Sequence, residues 1–192
     1  PLFGYDLSDY EALFEEKRER MAQLIHGGRQ WWTGTLTQSL DDVELFPRLA
    51  ATPLTMWVAV GGSPQSVLRA ANYGLPLMLA IIGGPVDRFA PFADLHRRAL
   101  DELGKDPQPV GWHSYGHLAQ TDDEARERMF RPWLEQTSKI GRERGWGRMT
   151  RAHFDDEADH GAMAVGSPET VAAKVAHGFR TLGAQRFQLK VS

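Results

Sequence analysis

Apolar residues recur along this chain at two periods, and the switches between them mark its elements. Tyr10, Leu13, Phe14, Met21, Leu24 and Ile25 fall at helical spacing, predicting a helix from a Ser8 or Asp9 cap to about His26, where Gly27-Gly28 ends it. Residues 31–40 are polar and aromatic and read as irregular or hairpin-like. A connector from Phe46-Pro47 to Pro53 leads into an apolar strand over 55–60. Helix 64–73 follows, with Val67, Leu68, Ala70 and Ala71 available for packing and Gly74 as its stop. A second apolar strand, 77–82, precedes a helix from about Val86 to Leu103 that should bury Phe89, Phe92, Ala93, Ala99 and Leu100. Turn residues at 104–109 separate it from a third strand over 110–119. Thr121-Asp122-Asp123-Glu124 is a capping box, and Pro132 should kink or divide the helix it opens. Gly145-Trp146-Gly147 breaks the pattern. A short acidic helix over 150–159, a helix from Ser167-Pro168 to about Leu182 and a last strand over 185–191 complete the order.

Strands alternating with helices imply a parallel sheet. Four such strands make a small doubly wound domain, but they are also half of an eight-stranded barrel, for which about 250 residues is typical. The chain begins without Met, at Pro1-Leu2-Phe3-Gly4-Tyr5, and stops on a strand, so it reads as a fragment.

Composition narrows the classes. A chain of 192 residues, 42% hydrophobic and 24% charged, suits one globular domain segment over 1–192. A net charge of −3, with the signs mixed, argues against a nucleic-acid or membrane surface as main partner. No apolar run approaches the roughly 20 residues of a membrane helix. Without cysteine, disulfides, thiolate catalysis and Cys-based metal sites are excluded, and a cytoplasmic location is compatible with this.

The most informative chemistry lies where the first two apolar runs end. Each closes on a glycine pair, Gly61-Gly62 and Gly83-Gly84, and Ser63-Pro64 starts the helix between them. Glycines let a ligand approach the backbone, and a helix N-terminus offers unpaired N–H groups at a positive dipole end. Gly62, Ser63, Gln65 and Ser66 would supply donors to an anion, most plausibly a phosphate. Ser-Pro is equally a good cap and first-turn pair.

The run Trp57 to Val67 with its Gly-Gly-Ser-Pro-Gln-Ser core, then Arg69-Ala70-Ala71, then Gly74 to Gly84, resembles the bacterial-luciferase-like flavin monooxygenases. Thr121 to Ala125 resembles the helix start after that family's seventh strand. Val165 to Val175 with the following Leu182 to Leu189 is similar to its last helix and strand, and Trp32-Thr33-Gly34-Thr35 to the segment before its fifth strand. No one motif is specific; four in order, from about Tyr5 to Val191, are. The resemblance implies a (β/α)8 TIM barrel of which this chain holds strands five to eight, the N-terminal half and final helix being absent. It places a flavin phosphate on Gly61, Gly62, Ser63, Gln65 and Ser66. Ile81 and Ile82 would approach the isoalloxazine ring, and Gly83 and Gly84 would keep the rim open. It implies an FMNH2- and O2-dependent monooxygenase acting on a small organic molecule through a peroxyflavin, supplied by a separate flavin reductase. The alternatives are a deazaflavin coenzyme with hydride transfer, a non-enzymatic flavin-binding barrel subunit, and a small non-flavin phosphate-binding domain. Half a barrel leaves two strand edges exposed, so a homo-oligomer is expected, two halves closing one barrel.

Other residues have plainer readings beside their chemical ones. His113, Tyr115 and His117 share a strand face; His117, nearest the active rim, is the tentative catalytic candidate, against packing or local bonding. No metal site is expected. Arg88, just past the Gly83-Gly84 rim, could reach a flavin phosphate or an acidic substrate, though a surface ion pair is the commoner fate. Asp155, Asp156, Glu157, Asp159 and His160 read as a solvated acidic face, and Glu15 to Arg20 as a solvated helix face with i, i+4 pairs. Trp31 and Trp32 read as core or interface packing. The second Gly-Ser-Pro, at Gly166-Ser167-Pro168, is expected only to cap, its helix N-terminus being placed at the barrel bottom.

Overall fold

In the computed structural model, residues 6–48 and 54–191 are described; residues 1–5, and the expected connector from residue 49 onward to 53, lie outside them. The chain divides into two units, residues 1–56 and 57–192.

The first unit holds helix α1 (Tyr10–Leu24) and an antiparallel pair, β1 (Arg29–Trp32) and β2 (Leu40–Glu44). The hairpin reading of 31–40 is thus right, with the strands flanking that stretch. Neither expected cap forms: Asp9 precedes α1 without a side-chain bond, and the Ser8 hydroxyl donates to Asp6 at 2.8 Å. The charged run is not wholly solvated. Arg18 is buried and donates to Glu15 at 3.2 Å, while Glu16 accepts from the backbone N–H groups of Thr35, Leu36 and Thr37 at 2.8–3.1 Å. Those bonds hold the Glu16 carboxyl below its usual range, the Thr37 hydroxyl contributing most.

In the second unit, β3 (Val58–Val60), β4 (Leu77–Ala80), β5 (Val110–Leu118) and β7 (Arg186–Val191) form a parallel sheet with β6 (Ala164–Gly166). Gly116 pairs with Val191 of β7 and with Ala164 of β6, so these lie on opposite sides of β5, and β6 continues the side that β4 occupies earlier. The sequence pattern misses β6 because Met163-Ala164-Val165 is too short an apolar run to show a period.

Helices α2 (Pro64–Asn72), α3 (Ala90–Glu102) and α6 (Pro168–Leu182) share one core with the sheet. Leu77, Leu79, Ile81, Val110 and Trp112 project into it, as the two-residue period requires. Trp112 lies edge-on to Phe179 of α6, with ring centroids 4.9 Å apart. Leu68 does not join this core, because it sits one residue, about 100°, off the Val67-Ala70-Ala71 stripe. Phe92 is only half-buried, and the helix expected from Val86 begins as a 3-10 turn (Val86–Phe89) before α3.

A second core joins α4 (Asp122–Arg144) and α5 (Arg151–Asp159) to β6, through Met129, Trp133, Phe154 and Val165. Pro132 neither divides nor ends α4, which runs unbroken for 23 residues. Pro132 faces solvent, and Met129 and Trp133, on either side of it in sequence, both pack in this core. The helix therefore keeps its course despite one missing amide donor.

Candidate functional site

Parallel strands end together, so the segments following β3, β4, β5 and β6 gather at one edge of the sheet. β3 and β4 are neighbours, with Val60 beside Leu79. Their pairing sets the Gly61–Ser66 loop next to the Ile81–Gly84 segment. Ser63 caps α2 by accepting from the Ser66 N–H at 3.3 Å, and its hydroxyl donates to Gln65 Oε1 at 3.0 Å. Gly62 has φ +120°, and a Cβ at Gly61 or Gly62 would meet nothing within 4 Å. The start of α2 is therefore an open cradle of backbone N–H groups and two hydroxyls, with no carboxylate over it among the described residues.

The second Gly-Ser-Pro makes the contrast. Gly166 ends β6 beside Leu118, so α6 begins at this same edge of the sheet. The expected position at the opposite end is overturned, since a helix following a parallel strand starts where that strand ends. Its donors, however, are taken. Asp122 accepts from the Ser167 N–H at 2.6 Å and the Thr170 hydroxyl at 3.0 Å, which together hold its carboxyl below the usual range. A Cβ at Gly166 would lie 2.6 Å from Asp122 Oδ1. Two identical tripeptides thus have different fates: one helix start is open, the other is filled by the protein's own anion. The expected capping role of Ser167 holds, for this reason.

At the end of β4, Ile81 is fully buried and Ile82 half-exposed, so of the two only Ile82 presents a side chain at the rim. Gly84, at φ +78°, donates its N–H to both oxygens of Glu157 at 3.0 Å, and its carbonyl accepts from Ala162 N–H at 2.9 Å. The acidic run predicts a solvated face, but Glu157 is instead the clamp that fixes this rim. No local pattern marks it, since the partner lies 73 residues away. Arg88 is exposed, has no ion-pair partner among the described residues, and folds over Gly84, whose Cβ position lies 3.0 Å from a guanidinium nitrogen.

His113, Tyr115 and His117 do share the face opposite Trp112. His117 pairs laterally with Val165 of β6, and its Nε2 is buried without a hydrogen-bond partner. It lies four residues, about 13 Å, past His113, the level at which β4 ends, and β6 stands on the β4 side of it. It therefore stands beside β6, past the level at which β4 ends, and is partly buried. The His113 imidazole is pushed down, first by burial and then by the nearby Lys190 charge. Lys190 Nζ lies 4.6 Å from the centre of the Tyr115 ring and 3.5 Å from its hydroxyl. That pairing crosses 75 residues and is invisible in sequence. No group of three or more metal-ligating side chains occurs among the described residues, and no described helix is long and apolar enough to cross a membrane.

The fold is shared with solved proteins. Monooxygenase RslO1 from Streptomyces bottropensis matches 98% of this chain over 56% of its own, at 20% identity and TM-score 0.73. The oxygenating constituent of 3,6-diketocamphane monooxygenase from Pseudomonas putida, solved with FMN, matches 90% over 55%, at 18% identity and TM-score 0.56. The coenzyme F420-dependent tetrahydromethanopterin reductase from Methanopyrus kandleri matches 93% over 56%, at 14% identity and TM-score 0.60. The chain spans about half the length of these proteins, which carry the luciferase-like TIM barrel. None of the curated protein sequences matches it significantly. The sequence profile of the luciferase-like monooxygenases matches residues 1–186. With that match over nearly its whole length, and with its parallel β/α order, the chain belongs to the luciferase-like monooxygenase family.

Proposed function

We propose that the protein is a flavin-dependent oxidoreductase that holds the phosphate of reduced FMN at Gly61, Gly62, Ser63, Gln65 and Ser66. The observation that carries this reading is the contrast between the two Gly-Ser-Pro helix starts, open at Ser63 and filled by Asp122 at Ser167. The residues present fit the group: exposed glycines with room for close approach, two hydroxyls and the first-turn N–H groups of α2. Bound FMN would supply the redox and oxygen chemistry. Ser63 and Ser66 would orient the phosphate, the Ser63 hydroxyl turning from Gln65 to do so. Ile82 would pack against the ring, with Gly83 and Gly84 leaving it room and Glu157 holding their backbone in place. Arg88, unpaired beside Gly84, would neutralise part of the ligand's charge. His117, with its unpartnered Nε2, is the candidate for a proton at the reacting end. The substrate is a small organic molecule with molecular oxygen as co-substrate, and reducing equivalents come from a separate flavin reductase.

A second reading replaces FMN by a deazaflavin coenzyme and oxygenation by hydride transfer; the F420-dependent reductase among the structural relatives favours it. Oxygen consumption with reduced FMN separates the two.

Fluorescence titration with FMN and riboflavin in parallel tests the phosphate loop. FMN should bind tighter, and Ser63→Ala with Ser66→Ala should narrow that gap by about 10- to 100-fold, the loss of hydrogen bonds to a charged group of roughly 1.5–3 kcal/mol. If neither ligand binds, oxidised or reduced, the FMN reading fails.

A further inference from the structure

Lys174, midway along α6, turns its ammonium to the backbone. It donates to the carbonyls of Ala158, Gly161 and Met163, the last two at 3.3 and 3.1 Å. Three acceptors use all three N–H groups of the protonated form. Ala158 lies in the last turn of α5, whose carbonyls have no partner within the helix. A cation placed there also meets the negative end of the helix dipole. Gly161 and Met163 belong to the turn that leads from α5 into β6. One side chain of α6 thus closes the end of α5 and fixes the path of the turn after it. Burial pushes the Lys174 ammonium below its ordinary 10.5, while Asp159 and Glu157 of α5 hold the charge on it and Arg126 of α4 opposes them.

The same turn holds the rim that follows β4. The Ala162 N–H donates to the Gly84 carbonyl at 2.9 Å, and Glu157 accepts the Gly84 N–H through both oxygens at 3.0 Å. Gly84 is therefore gripped at both of its backbone groups by segment 157–162, and that segment is gripped by Lys174. The segment is also folded tightly on itself. The Gly161 N–H donates to the Glu157 carbonyl at 3.1 Å, and a Cβ at Gly161 would run into Glu157 Oε2. The turn cannot shift without moving the carboxylate. Every bond in this series, from α6 to the turn to Gly84, has both partners among the described residues of the second unit.

We propose that Lys174 is a positioning residue for the flavin ring: through the turn between α5 and β6 it sets the Gly84 backbone that borders the ring. The ring assignment rests on the flavin reading above; the grip on Gly84 rests on the hydrogen bonds alone. Without the ammonium, the three carbonyls lose their shared donor, the turn relaxes, and both bonds on Gly84 loosen together. The Ser63 cap at the start of α2 is bonded to Ser66 and Gln65 and not to this turn, so the contribution of the phosphate should be untouched.

Amide exchange at Gly84, followed by NMR without ligand, reads one end of this series of contacts, and parallel FMN and riboflavin titrations read the other. In Lys174→Met the Gly84 amide should exchange about tenfold faster or more, as the loss of hydrogen bonds from a charged group implies. FMN and riboflavin should weaken by the same factor, since both carry the ring, so their ratio stays at the wild-type value. Lys174→Arg, which keeps the charge and its donors, should retain most of the protection. Lys174→Gln, neutral but still a donor, should fall between the two and stands in for Lys174→Met if thermal melting shows that variant unfolded. Lys174→Met and Glu157→Ala act on the same backbone group, so the double variant should weaken flavin no further than the worse single one; independent effects would multiply. Unchanged Gly84 exchange in a folded Lys174→Met protein, multiplying losses, or a loss confined to FMN would overturn the proposal. If the wild-type protein binds neither flavin, the flavin reading fails by itself, and faster Gly84 exchange in Lys174→Met would leave the grip on Gly84 standing without the ring.

Discussion

Single positions in this chain act through what lies opposite them, and sequence type alone misjudges several. Gly62 and Gly166 both stand before Ser-Pro, yet the first faces open space and the second faces Asp122. Gly62→Ala should cost about 1–3 kcal/mol through its positive φ and weaken FMN binding with it, read by urea unfolding and flavin titration. At Gly166 the same change also meets a carboxylate oxygen, so it should be the more destabilising of the pair. Glu157 is the residue whose role is most unlike its sequence appearance. Glu157→Ala leaves the Gly84 N–H without its acceptor, a loss of about 1–3 kcal/mol, and frees the rim. Flavin affinity should fall with stability, and Glu157→Gln, which keeps one acceptor oxygen, should recover most of both. If flavin affinity is untouched in a folded Glu157→Ala protein, the rim does not contact the ring.

At the scale of elements, packing decides where propensity is ambiguous. Gly178 in the middle of α6 looks like a poor helix residue, and replacing it by Ala should gain about 1 kcal/mol on propensity alone. A Cβ there would stand 2.5 Å from Trp112, which is itself fixed between Phe179 and Phe187. Overpacking costs about 1–3 kcal/mol, so Gly178→Ala should lower the urea midpoint; a rise would mean α6 can move off the sheet freely. Pro132 is the reverse case. It is exposed within an unbroken α4, so it contributes no packing and withholds one backbone donor. Pro132→Ala should raise stability by up to about 3 kcal/mol, with unchanged flavin binding.

At the scale of the whole molecule, one fully and one partly buried histidine, His96 and His113, set a pH response. His96 of α3 is fully buried, its Nε2 3.0 Å from the Leu75 carbonyl and its Nδ1 without a partner. Burial is the main cause that pushes its pKa below the ordinary 6.5. The unfolded chain therefore binds the proton first as pH drops, so stability is constant above about pH 6.5 and declines below it until the folded imidazole also titrates. Urea midpoints measured from pH 8 to 5 should show that decline, and His96→Gln should make it shallower, leaving the part that His113 carries. A wild-type midpoint unchanged down to pH 5 would exclude His96 as the cause. Asp122 and Asp159, both held below their usual range by hydrogen bonds, carry the same sign further down, below about pH 4.

Local chemistry is enough to write the β/α order apart from β6, the Ser63, Thr121 and Ser167 caps and the break at Gly145, because a cap or a period involves residues within one or two turns. It also marks Gly61 to Ser66 as a candidate anion cradle, since glycine, hydroxyl and helix start are contiguous. Which of two equal cradles stays open is settled by Asp122, 45 residues from Ser167. That Glu157 clamps Gly84, that β6 joins the sheet, that His117 stands beside β6 and that Lys190 rests on Tyr115 are likewise contacts between distant segments. Their energies depend on distance and burial, which exist only once parallel pairing has brought the strands together.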